Sequence, residues 1–229
     1  MFCIKKKTKP IKLEIYTWFG SLIDLFPPRA ARSSRPEWIK NLPTTNDPSV
    51  KHCYGHKDLY SEGVLIPSWA DFDLTIRPAG PPLIVSSVDQ LPEHSTPHPI
   101  DDTIWAHNYV NAKLHTPWFF YCDEMIKWAV IQPVWEQPDP LDWLTVPGII
   151  ELKHQNQVNA NMIFKRSSVP YGVKIKAGDP LTHLIPLTER PLEIEVKIMT
   201  TDIWSRKFNK WHFTSRFWYH KTRALLGKQ

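Results

Sequence analysis

The sequence predicts a mainly β protein, a β-sandwich or jelly-roll-like barrel with a short N-terminal helix and a C-terminal amphipathic helix. Three observations predict it. Proline is frequent, at 22 of 229 residues, and glycine scarce, at 8, which reverses the usual balance. Proline fixes φ and removes a backbone donor, so this excess suits short strands joined by fixed-angle loops better than long helices. Tryptophan is abundant, at 11, and short alternating apolar runs are separated by turn residues at close intervals. With 42% hydrophobic residues, no G-X-Y period and no sustained heptad, the chain is not collagen, coiled coil or disordered. No apolar run approaches the roughly 18–20 residues of a membrane-spanning helix. Composition divides the chain into a basic segment 1–10, a β-rich domain 11–202 and a basic aromatic helix 203–229.

In chain order, Ile11, Leu13 and Ile15 alternate with Lys12, Glu14 and Tyr16, the period of two that marks a strand. Pro27-Pro28 opens a loop carrying Arg29, Arg32 and Arg35. Pro36–Leu42 predicts the N-terminal helix, with Ser34 as its cap, Pro36 in the first turn and Pro43 as the stop. Gly63–Pro67 reads as a buried strand, and Asp71–Arg77 as a half-exposed one with Phe72, Leu74 and Ile76 inward. The proline-rich stretch 78–103 predicts a long surface loop holding a short strand at Leu83–Ser86. Further strands are expected at Trp118–Cys122, Lys127–Val134, Gly148–Leu152, Asn161–Phe164, Gly172–Lys176, Leu181–Pro186 and Leu192–Met199. Pro138-Asp139-Pro140, Pro147-Gly148, Pro170-Tyr171-Gly172 and Ala177-Gly178-Asp179-Pro180 supply turns between them. Short strands at this spacing predict the sandwich or barrel.

The C-terminal helix follows from Trp204, Phe208, Trp211, Ser215, Trp218 and Thr222, which recur at alternating intervals of four and three, with Asp202 as the expected cap. Arg206, Lys207, Lys210 and Arg216 occupy its other faces. The stripe predicts a docking face against the sheet or a neighbouring subunit, because modules that stack bases carry their aromatics on strands or loops. Trp204, Phe208, Trp211, Trp218, Arg206, Lys207, Lys210 and Arg216 are the expected partner-binding residues.

Charge is segregated. The net value is +5, yet all 23 acidic residues lie between positions 13 and 202. Lys5, Lys6, Lys7, Lys9 and Lys12 crowd one end, and Arg206, Lys207, Lys210, Arg216, Lys221, Arg223 and Lys228 the other. The simplest reading is that these ends are solvated or pair with the acidic middle; they would also suit nucleic acid or an acidic partner face. The first ten residues lack the apolar core of a secretory signal. Cys3, Cys53 and Cys122 are sparse and odd in number, which argues against a disulfide framework and fits a reducing interior.

The chain carries none of the phosphate-binding glycine loops, no G-x-S-x-G and no H-E-x-x-H. Two histidine clusters stand out. His52, Cys53 and His56 fall within five residues, and on a helix His52 and His56 would share a face and could grip a metal, with a thiolate or a distant carboxylate completing the shell. His94 and His98 sit near Glu93, Asp101 and Asp102, and jelly-roll oxygenases hold iron with two histidines and a carboxylate. Asp71 and Asp73 share a strand face and could act as acid and base, although an exposed polar face explains them more simply. Trp118, Phe119, Phe120 and Tyr121, with Trp128 and Trp135, read as core or subunit contact.

At Arg35-Pro-Glu-Trp-Ile-Lys-Asn-Leu-Pro43 the chain resembles an uncharacterised family of all-β proteins encoded by tailed phages of marine bacteria and by scattered bacteria. The likeness resumes at His115-Thr-Pro-Trp118, at Pro147-Gly148-Ile149-Ile150, and at Ile175–Pro186, and ends in the aromatic-basic tail Lys207–Lys221. Ile175–Pro186 is also similar to the strand-turn-strand of cupins and dUTPases, a mark of fold only. The resemblance implies an all-β, cupin-like body and transfers no catalytic residue. The expected function is a non-enzymatic structural or assembly protein that contacts itself or other virion proteins, in the host cytoplasm or the virion, with no cofactor and no membrane. The alternative is a cupin-like, oxygenase-type enzyme or small-molecule binder using iron or zinc inside the barrel. Nucleic-acid binding through the basic ends is a third reading.

Overall fold

The computed structural model describes residues 8–34, 36–42, 50–80, 82–86, 108–136, 143–153 and 155–209. The strands are β1 (Ile11–Thr17), β2 (Arg29–Ala30), β3 (Val64–Pro67), β4 (Phe72–Ile76), β5 (Leu83–Ser86), β6 (Tyr109–Leu114) and β7 (Phe119–Tyr121). They continue as β8 (Lys127–Ile131), β9 (Trp143–Thr145), β10 (Gly148–Glu151), β11 (Ala160–Lys165), β12 (Tyr171–Ile175), β13 (Pro180–Pro186) and β14 (Leu192–Ile198). The helices are α1 (Gly20–Leu25), α2 (Glu37–Lys40), α3 (Tyr54–Ser61) and α4 (Thr201–Ile203), the last running on into a π-helical turn at Trp204–Asn209. Among the described residues no helix is long and apolar enough to cross a membrane.

Four sheets form, in the orders β14-β1-β7, β10-β8-β13-β3-β2, β6-β11-β9 and β12-β4-β5. All described pairings are antiparallel except β1 with β14, which run parallel and in register from Ile11↔Leu192 to Thr17↔Ile198. The protein is therefore mainly β, as the alternation predicts. The closed barrel is not formed among the described residues: each sheet ends in edge strands, and two separate cores replace a single lumen. One core joins the first two sheets through Ile11, Leu13, Ile15, Trp118, Phe120, Trp128, Val64, Ile66 and Leu184. The other joins the remaining two through Trp69, Phe72, Leu74, Ile76, Val110, Leu114, Trp143, Met162, Phe164 and Val173. Trp118 and Trp128 are fully buried, so the aromatic group at 118–128 is core at these positions.

A bent two-stranded ribbon connects the cores. β3 and β13 pair in the second sheet, while their continuations β4 and β12 pair in the fourth. The bend falls at Ser68 and Gly178, which cross-bond: the Ser68 N–H donates to the Asp179 carbonyl at 2.7 Å and the Gly178 N–H to the Ser68 carbonyl at 2.8 Å. Gly178 adopts φ +91°, a value glycine reaches without strain. The Gly178-Asp179 turn thus forms where the sequence places it, but it transfers the chain between sheets instead of closing a hairpin. Gly63, at φ +84°, lets β3 approach β13, because a Cβ there would meet the Leu184 carbonyl oxygen at 2.3 Å.

Three local expectations need correction. The strand expected at Lys127–Val134 stops at Ile131, and Val134–Glu136 forms a 3-10 turn after Pro133, which has no N–H for a ladder. Pro36, not Ser34, stands at the start of α2, its carbonyl accepting from the Ile39 and Lys40 N–H groups. Thr200, not Asp202, caps α4, its hydroxyl accepting from the Ile203 N–H at 3.2 Å. Pro43 lies outside the described residues.

Candidate functional site

The outer face of the first sheet carries the most developed side-chain constellation. β1 turns Lys12, Glu14 and Tyr16 away from Ile11, Leu13 and Ile15, and β7 adds Phe119 and Tyr121 on the neighbouring strand. α4 and its π-helical turn fold back across this face. Phe208 is fully buried there, edge-on to Tyr16, Phe119 and Tyr121 at 5.7, 5.9 and 6.1 Å between ring centroids. Trp204 stacks on Phe208 at 5.6 Å and meets Phe119 and Trp18. Edge-to-face rings at these distances add attraction beyond the area they bury.

Lys207 sits at the centre of the constellation. Its ammonium group lies 4.6 Å from the Tyr121 ring centroid and 5.3 Å from that of Tyr16. It donates to the Tyr16 hydroxyl at 2.9 Å and to the Glu14 carboxylate. Glu14 also accepts from Lys197 on β14 at 3.2 Å, and Lys197 pairs with Glu195, which pairs with Lys12 at 3.0 Å. Burial opposes ionisation of Glu14, but Lys207 and Lys197 outweigh it and hold the carboxyl below its ordinary value. Burial likewise opposes charge on Lys207, yet the bonds to Glu14 and Tyr16 raise its value. Burial pushes the Tyr16 phenol up. The site is an ion-paired clasp in which Lys207 and Lys197 meet Glu14, and Lys197 and Lys12 meet Glu195, an arrangement suited to hold a segment in place.

The expected partner-binding residues separate accordingly. Phe208 and Lys207 are turned inward onto the chain's own sheet, and Trp204 is half-buried beside them. Arg206 points outward and pairs with Asp202 one turn back. Trp211, Trp218, Lys210 and Arg216 lie outside the described residues. The docking face against the sheet is thus formed at its first turn. Tyr121 belongs to the aromatic group read from the sequence as core or subunit contact, whereas Glu14 and Tyr16, which complete the clasp, carry no signal beyond their place on the polar side of an alternating strand.

The two metal candidates among the described residues, His52 and His56, do not converge. His52 is exposed in a 3-10 turn, because α3 starts only at Tyr54 with Cys53 at its cap; His56 is buried on the inner side of that helix. The shared helical face expected for the two histidines is therefore absent. The tripeptide His56-Lys57-Asp58 has a His-x-Asp spacing, but His56 is buried and Asp58 lies on the exposed side. Among the described residues no three of His, Cys, Asp or Glu are grouped to hold a metal. His94, His98 and Asp101 lie outside the described residues. Asp71 accepts from the Ala177 N–H at 2.8 Å and Asp73 lies near Lys174, which gives both a structural place. Cys53 is exposed and Cys122 buried, both as thiols.

A second polar cluster lies beneath α3. Tyr60 is buried, 4.9 Å from the His56 ring and 6.2 Å from that of His183 on β13. His183 donates through Nε2 to the Glu62 carbonyl at 2.9 Å, and burial pushes its value down against the opposing effect of that bond. Glu136 enters from the 3-10 turn after β8. Its Oε1 and the Tyr60 hydroxyl find no hydrogen-bond partner among the described residues. Arg29 approaches Glu136 only to 3.9 Å, and burial raises the carboxyl to about 7. This carboxyl changes charge near neutral pH.

The chain matches no protein-family model, no curated protein and no solved structure.

Proposed function

We propose that the protein is a non-enzymatic structural or assembly protein of the phage type that the family resemblance implies. Its sheets pack as a β-sandwich of jelly-roll character, and it works through contacts with copies of itself or with other virion proteins, in the host cytoplasm or the particle. The observation that supports this reading is the clasp of Lys207 and Phe208 on β1 and β7. It fixes the chain on the sheet as far as Phe208, immediately before the basic, tryptophan-bearing segment that holds Lys210, Trp211, Arg216 and Trp218 in sequence. Aromatic and arginine side chains are the residue types that dominate protein interfaces. The cupin-like alternative needs a pocket between sheets, and at the described positions that space holds Trp118, Trp128, Phe120, Trp143 and Phe164.

The test compares the full chain with the full-length double variant Trp211→Ala, Trp218→Ala by sedimentation velocity and metal analysis. The expected result is a multi-chain assembly without stoichiometric metal, reduced in size by the double substitution while the far-UV spectrum is unchanged. One iron or zinc per monomeric chain would overturn the reading in favour of the cupin-like enzyme.

A further inference from the structure

We propose that the free edge of β14 is a self-pairing surface, on which a second copy of this chain adds its own β14, antiparallel, about a two-fold axis through Val196. This deepens the assembly reading by naming one partner, and it uses a surface separate from the C-terminal segment.

β14 is bonded on one side only. Its partner β1 covers seven consecutive positions without a bulge, and no described strand lies on the other side. The contrast between the two strands is sharp: Ile11, Leu13 and Ile15 are fully buried, whereas Leu192, Ile194 and Val196 are only half-buried and Ile198 is 43% exposed. Leu192, Ile194 and Val196 pack against the first core and also line an open groove of about 420 Å³ shared with Pro28, Ala30 and Arg32 at the edge of the second sheet. A regular seven-residue strand without proline, half-apolar and open along one edge, is the form that pairs with another chain unless something blocks it.

Charge selects the occupant and the register. With Val196 on the axis, Glu195 stands opposite Lys197 of the partner subunit, and Lys197 opposite Glu195 of the partner subunit. Ile194 then meets Ile198 of the partner subunit on the inner face. Moving the axis to Glu195 sets that carboxylate against its own copy, and moving it to Lys197 does the same with ammonium groups; like charges directly opposite are unfavourable. Within one chain the outer-face charges already alternate as Lys207, Glu14, Lys197, Glu195 and Lys12. The two-fold pairing extends that alternation across the edge, so the strand is complementary to itself.

The test measures the mass of the full chain in solution across a concentration series, in the background of Trp211→Ala, Trp218→Ala so that tail contacts do not contribute. The expected mass is twice the 26.8 kDa of one chain. Glu195→Lys and Lys197→Glu each set like charges opposite one another and are expected to weaken the dimer by about tenfold or more. Mixing the two variants restores opposite charges across the axis and is expected to recover a heterodimer. A monomer at every concentration overturns the proposal, as does a dimer indifferent to both reversals. Two folded variants that stay monomeric when mixed also overturn it. Protection of the β14 amides in a monomer would show that a segment of the same chain covers the edge. Failure here leaves the tail-dependent assembly standing, and loss of that assembly leaves the edge dimer intact.

Discussion

Glu14 on β1 and Glu136 after β8 both have side chains largely shielded from water, 13% and 7% exposed, and burial acts on both in the same direction. They reach opposite outcomes. Glu14 is met by Lys207 and Lys197 in hydrogen-bonding contact and stays ionised, its value below that of an ordinary carboxyl. Glu136 has one guanidinium at 3.9 Å and an oxygen with no described partner, and its value rises to about 7. The difference shows that burial does not by itself set the charge of a carboxyl; contact distance to a compensating donor does.

The largest expected effect comes from removing the ring that keeps Lys207 in place. Phe208→Ala leaves a cavity between Tyr16, Phe119 and Tyr121 and is expected to weaken docking of α4 and the π-helical turn by about 3 kcal/mol. Faster amide exchange over residues 201–209, with the β1 amides unchanged, checks it. Next comes the pH response of Glu136. Its folded value lies above the unfolded one, so the carboxyl favours the fold below about pH 4.5, and that contribution is lost as the pH rises to about 7. Partial solvation reduces the effect to about 2 kcal/mol. Glu136→Gln should abolish this slope and exceed the wild type in stability above neutrality; urea midpoints at pH 5 and pH 8 measure it. A parallel slope in the variant would show that another group titrates.

Glu14 should show the opposite sign. Its folded value is lowered, so its contribution is present above the unfolded value and disappears as the pH falls through the folded one. Glu14→Gln is expected to cost about 1 kcal/mol at pH 7 and to converge on the wild type in acid. The smallest effect belongs to the ring beneath the ammonium. Tyr121→Leu removes the closer of the two faces over which Lys207 sits and should cost about 0.5 kcal/mol. If it equals the loss from Glu14→Gln, the rings and not the carboxylate hold the lysine.

The strands that the sequence makes legible are those whose inner face repeats every second residue. β1, β4 and β14 are found because Ile11-Leu13-Ile15, Phe72-Leu74-Ile76 and Leu192-Ile194-Val196 alternate without interruption. β6 has the same pattern in Val110, Ala112 and Leu114, with Asn111 and Lys113 on the other face, but the small Ala112 weakens the apolar signal. β9 is only three residues long. α3 carries Gly55 and buries just His56 and Tyr60, so tertiary contact and not propensity defines it. The aromatic stripe predicts that the C-terminal helix docks, and its first turn does; the surface that receives it requires β14 to lie parallel to β1, nearly the whole chain apart. Glu136 was invisible for the same reason, since its described neighbours Arg29 and Tyr60 are far from it in sequence.

The parallel alignment of β1 and β14 has a mechanical consequence. The chain enters β1 at Ile11 and leaves β14 at Ile198, which lie at opposite ends of the paired strands. Tension between the two flanking segments drags the strands past each other lengthwise, and the ladder must slip as a unit instead of unzipping bond by bond. Overlapped in this way, like a lap joint, the first and last described strands resist a pull applied at Ile11 and Ile198 along the whole length of their ladder.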